Sequence, residues 1–266
     1  MTSTWHFDPT PGAANRLPET VLETVRSAQR AVVFGGAGMS AESGIATFRD
    51  AQSGALWARF DAEQLATPEA FLRDPERVWG WYEWRRMQVL QARPNVAHRA
   101  VVELAQRLPQ LRVITQNVDD LHERAGSREV LHLHGSLHQA RCFDCAAAHP
   151  LDALPDEPEG GRYLAPPRCL CCGGPVRPGV VWFGESLDPH VLDAAFAAAG
   201  ACDLFLSVGT SGLVHPAAQL PDVARQQGAT LLHVNPQRPQ GVSGEDVCLL
   251  GPAGQILPLL LRQAWG

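Results

Sequence analysis

The chain carries no excess of positive charge. Its 22 basic and 28 acidic side chains leave a formal net charge of −6 at pH 7, so nothing draws it to a phosphate backbone and direct nucleic-acid binding is not expected. Long apolar runs are lacking as well. The stretch Ile256-Leu257-Pro258-Leu259-Leu260-Leu261 is too short to cross a bilayer, and no basic start leads into an apolar segment. A cytoplasmic location is the expectation. Disorder is excluded by composition: 266 residues, 45% hydrophobic and 19% charged, suffice for one medium domain or a large one carrying a small one. No serine or cysteine has an accompanying base, which argues against a covalent protein nucleophile.

What the chain does have is cysteine in metal spacing. Of seven cysteines, four form Cys142-x-x-Cys145 and Cys169-x-x-Cys172, two knuckles suited to one tetrahedral zinc in a reducing compartment. Four thiolates close the coordination shell, so a structural ion is expected; a catalytic zinc would need an open position. Cys171 is then a spare thiol, and Gly173-Gly174 allow the tight turn after the second knuckle.

Around this module the chain alternates apolar strand candidates with helical stretches. The strands are Arg30–Phe34, Leu111–Thr115, Asp203–Val208, Thr230–Val234 and Val247–Leu250, and the helices include Val96–Leu108, Pro189–Ala199 and Pro216–Gln227. Such a pattern predicts a Rossmann-like open parallel sheet with helices on both faces. Two segments break the rhythm: an aromatic, helix-like one, and one holding the metal cysteines among prolines and glycines. The expected organisation is a main domain from residues 1–49, 94–137 and 181–266, with a helical insertion (50–93) and a zinc-binding insertion (138–180) forming a smaller domain.

Gly36-x-Gly38-x-x-Ala41 follows the first apolar strand, where glycines let a backbone approach a pyrophosphate. A glycine turn without a ligand is the plain alternative. The acidic residue that ends the next strand in common dehydrogenases is missing; a polar loop through Ala41–Asp50 stands there instead, with Arg49 available to a phosphate or carboxylate. Gln116, Asn117 and Asp119 follow a buried strand and can bond ribose hydroxyls and a carboxamide, or Asn117 and Asp119 simply cap a helix. Gly209-Thr210-Ser211 and Asn235 end two further strands, so three polar strand ends point to one crevice.

His134, beside the flexible Gly135-Ser136, is the candidate general base, since imidazole titrates near neutrality; a purely structural histidine is the alternative. Tyr82 and Arg85 lie three positions apart on a tryptophan-rich helix and share a face, offering a hydroxyl and a guanidinium fork to a carboxylate, unless the helix only packs. Val181-Trp182-Phe183-Gly184 returns from the zinc module as an extended segment that either pairs with a substrate peptide or is a linker satisfied internally.

Taken together, Gly36-Ala37-Gly38-Met39-Ser40, Gly44 to Arg49, Thr115-Gln116-Asn117-Val118-Asp119, His134-Gly135-Ser136, the two knuckles, Val181 to Glu185 and Gly209-Thr210-Ser211 closely resemble the sirtuins, NAD-dependent protein deacylases. The motifs occur in family order from about residue 28 to 254, and their combination is far more specific than any one of them. The resemblance implies NAD held by Gly36, Ala37, Gly38, Phe48, Arg49, Gln116, Asn117, Asp119, Gly209, Thr210, Ser211, Asn235 and Ala253, with His134 as base and Asn117 orienting the ribose. It implies acyl-lysine proteins or peptides as partners, with nicotinamide, free lysine and 2′-O-acyl-ADP-ribose as products. The helix pair resembles the subclass accepting acidic acyl groups, desuccinylases and demalonylases, with Ala66 leaving room and Tyr82 and Arg85 gripping the distal carboxylate; deacetylation stays compatible. Pro236-Gln237 departs from the acidic residue common in relatives. Protein mono-ADP-ribosylation and a non-catalytic NAD-binding or zinc scaffold are the competing readings.

Overall fold

The computed structural model describes residues 3–45, 62–151 and 163–266. The chain opens with β1 (Ser3–His6), α1 (Glu19–Ser27), β2 (Arg30–Gly35) and a short α2 (Ala37–Ser40). After α3 (Ala62–Leu65), α4 (Pro68–Arg73) and α5 (Pro75–Gln91) come α6 (Val96–Arg107), β3 (Gln110–Thr115), α7 (Leu121–Ala125) and β4 (Leu131–His132). A small antiparallel sheet is built from β5 (Gly135–Cys142), β6 (Ala148–His149) and β7 (Val176–Val180). The remainder is α8 (Pro189–Ala201), β8 (Leu204–Val208), α9 (Leu220–Gln226), β9 (Thr230–Asn235), β10 (Val247–Leu250) and α10 (Ala253–Trp265).

The main sheet is parallel throughout, in the order β1-β10-β9-β8-β2-β3-β4. Its central strands are continuous apolar runs because both faces are covered. Val33, Val113, Leu206 and Val234 point to one face and meet α1, α6 and α10; Val32, Phe34, Ile114, Phe205 and Leu231 point to the other and meet α8 and α9. The expected fold class, a Rossmann-like parallel sheet with helices on both faces, is the one observed. Two local expectations need correction. The helix foreseen over Pro216–Gln227 starts as a 3-10 turn at Ala217–Gln219 before α9, because Pro221 has no N–H to bond the Ala217 carbonyl. The segment foreseen as extended from Val180 ends its strand there and runs into a turn. Of the helical insertion, residues 62–93 fall within the described chain, and of the zinc-binding insertion residues 138–151 and 163–180.

In α5, Asp74 accepts the Arg77 N–H at 3.1 Å and Pro75 takes the first helical position, where its missing N–H costs nothing. The helix then buries side chains on two sides. Trp79 joins Cys142, Cys169 and Val176, while Trp81, Tyr82 and Trp84 join Leu137, Val180 and Trp182. No helix among the described residues is long and apolar enough to cross a membrane.

The cap of α6 ties the sheet to the glycine turn. Asn95 Oδ1 accepts from Ala97 and His98, the His98 ring accepts the Asn95 N–H in return, and Asn95 Nδ2 donates to the Met39 carbonyl at 2.9 Å. Asn95→Ala removes cap and tie together, and a loss of about 1–2 kcal/mol of unfolding free energy is expected. Urea titration reads it; a midpoint unchanged from wild type would contradict this role.

Candidate active site

β2 and β8 lie side by side, but the chain leaves β2 toward β3 and leaves β8 toward β9 on the opposite flank. Their carboxyl ends therefore open a crevice at the reversal of strand order, where an α/β sheet binds ligands. The two turns meet backbone to backbone: Gly36 N–H donates to the Val208 carbonyl and Gly38 N–H to the Gly209 carbonyl, each at 3.0 Å. A Cβ on Gly38 would lie 2.7 Å from Gly209 Cα, and Gly209 itself adopts φ +65°. Only glycine meets these demands. Gly209 N–H continues to the Val234 carbonyl, Gly251 N–H to the Asn235 carbonyl, and Ala253 begins α10. Gly36, Ala37, Gly38, Gly209, Thr210, Ser211, Asn235 and Ala253 thus follow one another along the ends of adjacent strands. The Thr210 hydroxyl is bonded to Ser207 at 2.9 Å, and Asn235 Nδ2 donates to the Gln237 carbonyl at 2.6 Å.

Beside this crevice lies a cleft of about 460 Å³ that gathers Ala37, Gln116, Asn117, Asp119 and His134 with Ala66, Tyr82, Arg85 and Val181 to Gly184. Phe48 and Arg49 fall outside the described residues. At its inner end Asn117 Nδ2 donates to Ser40 Oγ at 3.0 Å, and Ser40 Oγ donates to Asp119 Oδ2 at 2.9 Å. Burial pushes the Asp119 carboxyl above its usual range, against the N–H of Leu121 and the Ser40 hydroxyl that bond the ionised form. Ser40 is the link that spacing alone did not single out. Its signal was its place, a short hydroxyl residue right after the glycine turn.

The two neighbouring histidines are distinguished by their partners. His132 is engaged at both ring nitrogens, by the Asn117 carbonyl at 3.2 Å and by Glu123 at 2.6 Å. His134 bonds the Gln116 carbonyl through Nδ1 at 3.0 Å. A carbonyl accepts only, so Nδ1 carries the proton and Nε2 keeps its lone pair. Burial holds the His134 pKa below the usual 6.5, offset in part by that carbonyl. At neutral pH the ring is an uncharged base lining the cleft.

At the other end, Tyr82 is buried and its hydroxyl accepts from Trp182 Nε1 at 3.0 Å. The Arg85 guanidinium lies 4.9 Å from the Trp81 ring centroid and 5.7 Å from that of Tyr82. Burial drives the Tyr82 pKa up to about 12 despite nearby Arg85, and holds Arg85 below its ordinary value despite Tyr82 and Asp119. A cation short of solvation beside a neutral hydroxyl is an anion-accepting arrangement. Trp81, Trp84, Gln88, Val214 and His215 also line the cleft and carried no sequence signal beyond aromatic content.

The Val181 to Gly184 segment follows the linker alternative in its donors. Val181 N–H bonds the His134 carbonyl and Phe183 N–H the Ala66 carbonyl, both at 2.9 Å, and Trp182 N–H bonds Glu185 at 2.8 Å. Its residues still line the cleft.

The four knuckle sulfurs converge, with Cys142 and Cys172 Sγ 3.4 Å apart, Cys145 and Cys169 Sγ 3.7 Å apart, and all four within 4.8 Å. Tetrahedral zinc–thiolate bonds of about 2.3 Å place sulfurs about 3.8 Å apart, so the set fits a closed structural zinc. The backbone N–H groups of Cys172 and Cys171 lower the Cys169 pKa to about 6, while the crowded neighbouring thiols push Cys145 and Cys172 up. Cys171 is exposed and outside the cluster.

Comparison with known proteins follows the same lines. The Sir2 family pattern matches residues 36–216. The chain is 62% identical over 247 residues to NAD-dependent protein deacylase 1 of Pseudomonas aeruginosa, covering 92% of this chain and 98% of the relative. It is 46% identical to NAD-dependent protein deacylase 1 of Archaeoglobus fulgidus, over 92% of this chain and 97% of that protein. A crystal structure of a Sir2 homologue in complex with NAD superposes with a TM-score of 0.84 at 43% identity, covering 94% of each chain. With motif order, fold and cleft in agreement, this chain belongs to the Sir2 family.

Proposed function

We propose that this chain is an NAD-dependent protein-lysine deacylase whose acyl pocket takes acidic acyl groups, succinyl or malonyl, as well as acetyl. The observation that carries the reading is the single cleft joining the Asn117–Ser40–Asp119 hydrogen-bond chain and His134 to the Tyr82–Arg85 pair. Gly36 to Gly38, Gln116, Asn117, Asp119, Gly209 to Ser211, Asn235 and Ala253 would hold NAD, with Phe48 and Arg49 closing the set. NAD bound there supplies an electrophilic ribose carbon and nicotinamide as leaving group.

The protein's own residues do the rest by position. Asn117, fixed through Ser40, orients the ribose side, and Asp119 receives the carboxamide; groups already in place need no reorganisation during reaction. His134 takes the proton of a ribose hydroxyl at Nε2, the nitrogen its Gln116 bond leaves unprotonated. Ala66 bounds the acyl channel and Arg85 with Tyr82 meets the distal carboxylate. The zinc takes no step; it would hold the knuckles so that their segment packs against Trp79 of the helix that carries Tyr82 and Arg85. Acyl-lysine, NAD and one water are consumed, and the products are nicotinamide, free lysine and 2′-O-acyl-ADP-ribose. The partners are acyl-lysine proteins, met in the cytoplasm of the cell.

Purified protein with NAD and acetyl- or succinyl-lysine peptide is expected to release nicotinamide and the acyl-ADP-ribose. No release with either peptide sinks the reading, and label from NAD left on the acceptor protein would mark an ADP-ribosyltransferase instead. The acid limb of kcat/KM is expected below pH 6.5, since activity persists until pH falls through the lowered His134 pKa. A limb above that value, or one retained with undiminished turnover in His134→Ala, would remove the assigned base. Arg85→Met is expected to lower kcat/KM on succinyl-lysine at least about tenfold more than on acetyl-lysine, through loss of a charge-assisted pair; equal losses would contradict the acidic pocket.

A further inference from the structure

We infer that the indole of Trp182 is a positioning residue for acyl selectivity, acting by committing the Tyr82 hydroxyl to donate into the acyl pocket. The inference rests on the reading of Tyr82 and Arg85 as the acyl-carboxylate grip.

An indole N–H donates and never accepts. In the 3.0 Å bond between Trp182 Nε1 and Tyr82 Oη, the phenol oxygen is therefore the acceptor, and its own hydrogen points elsewhere. Among the described residues nothing accepts that hydrogen, while Tyr82 lines the cleft. Burial keeps the phenol protonated well beyond neutrality. Tyr82 thus presents O–H to the pocket.

The donor role requires that Trp182 not swing away, and the structure clamps it from several sides. The Arg177 guanidinium lies 3.4 Å from the ring centroid, and Phe71 packs at 5.4 Å between ring centroids. Arg177 is itself fixed by a two-pronged pair with Glu185 and by the Val180 carbonyl at 2.9 Å, and Glu185 in turn accepts the Trp182 N–H at 2.8 Å. Trp182 is 2% exposed. With the indole held, the acyl pocket offers the Tyr82 O–H and the Arg85 fork, both donors. A terminal carboxylate satisfies both. A methyl gives the Tyr82 O–H no acceptor, and a carboxamide can turn an NH2 toward it.

Trp182→Phe removes the donor and keeps an aromatic ring for Arg177. The expected result is a roughly tenfold fall in the ratio of kcat/KM on succinyl-lysine to that on acetyl-lysine peptide, expressed mainly as a higher KM for the succinyl peptide, because the bond touches the acyl tail and not the reacting centre. In a Tyr82→Phe background the same substitution is expected to leave the ratio where Tyr82→Phe put it, since Trp182 acts through Tyr82. Replacing Trp182 by benzothienylalanine, which keeps the ring shape and lacks only the N–H, gives the same measurement should the phenylalanine variant not fold. An unchanged ratio in both single variants, or independent losses in the double variant, would overturn the inference. A wild-type enzyme that deacetylates but has no activity on succinyl- or malonyl-lysine would instead overturn the acyl-carboxylate reading beneath it.

Discussion

Gly38 donates to Gly209 across the reversal of strand order, and that backbone contact determines where everything else can stand. It brings the turn after β2 against the turn after β8 with no side chain between them. The strand ends then form a continuous polar margin, and the space next to it is left to a ligand. The parallel sheet supplies the rigidity: its central strands are buried on both faces, each filled apolar side chain contributing about 1.5–3 kcal/mol, so the turns they carry have little freedom to drift.

Onto that margin the small antiparallel sheet and α5 bring a second wall of different character. The inner end of the cleft is a chain of neutral and acidic hydrogen bonds from Asn117 through Ser40 to Asp119; the outer end is aromatic and cationic. The two meet within one cleft, where Asp119 acts on Arg85 through its charge. The zinc cluster stands behind the outer wall, where Trp79 packs against Cys142 and Cys169, so the metal's stabilisation reaches the helix that carries Tyr82 and Arg85.

Much of this was legible in the residues. The five central strands were readable to within a residue or so because a run such as Ala31-Val32-Val33-Phe34 is apolar on both faces and ends in polar or glycine positions. The knuckles were readable because metal spacing is local. β1 was not: four short residues, Ser3 to His6, gain their partner β10 only from the far end of the chain. The small sheet was not either, since its pairing shifts register between Gly135 and Ala140 and its shape is set by cysteines, not by alternation. In the cleft, the roles of Ser40 and Trp182, both of which stand within quoted motifs, escaped for one reason. Each works through a partner distant in sequence, Asp119 for the first and Tyr82, a hundred residues away, for the second, and no local pattern records such a pairing.

Glu42 lies within the 3-10 turn Ala41–Ser43 that follows the glycine motif, and its carboxylate accepts the Gly254 N–H at 2.6 Å. The absence of a Cβ at position 254 lets that carboxylate come close, since a Cβ there would sit 2.7 Å from it. The acidic group meets the positive pole of the thirteen-residue α10, so the last helix and the glycine turn are fastened like two leaves of one hinge. The last helix of the chain is thereby built into the support of the turn that follows β2.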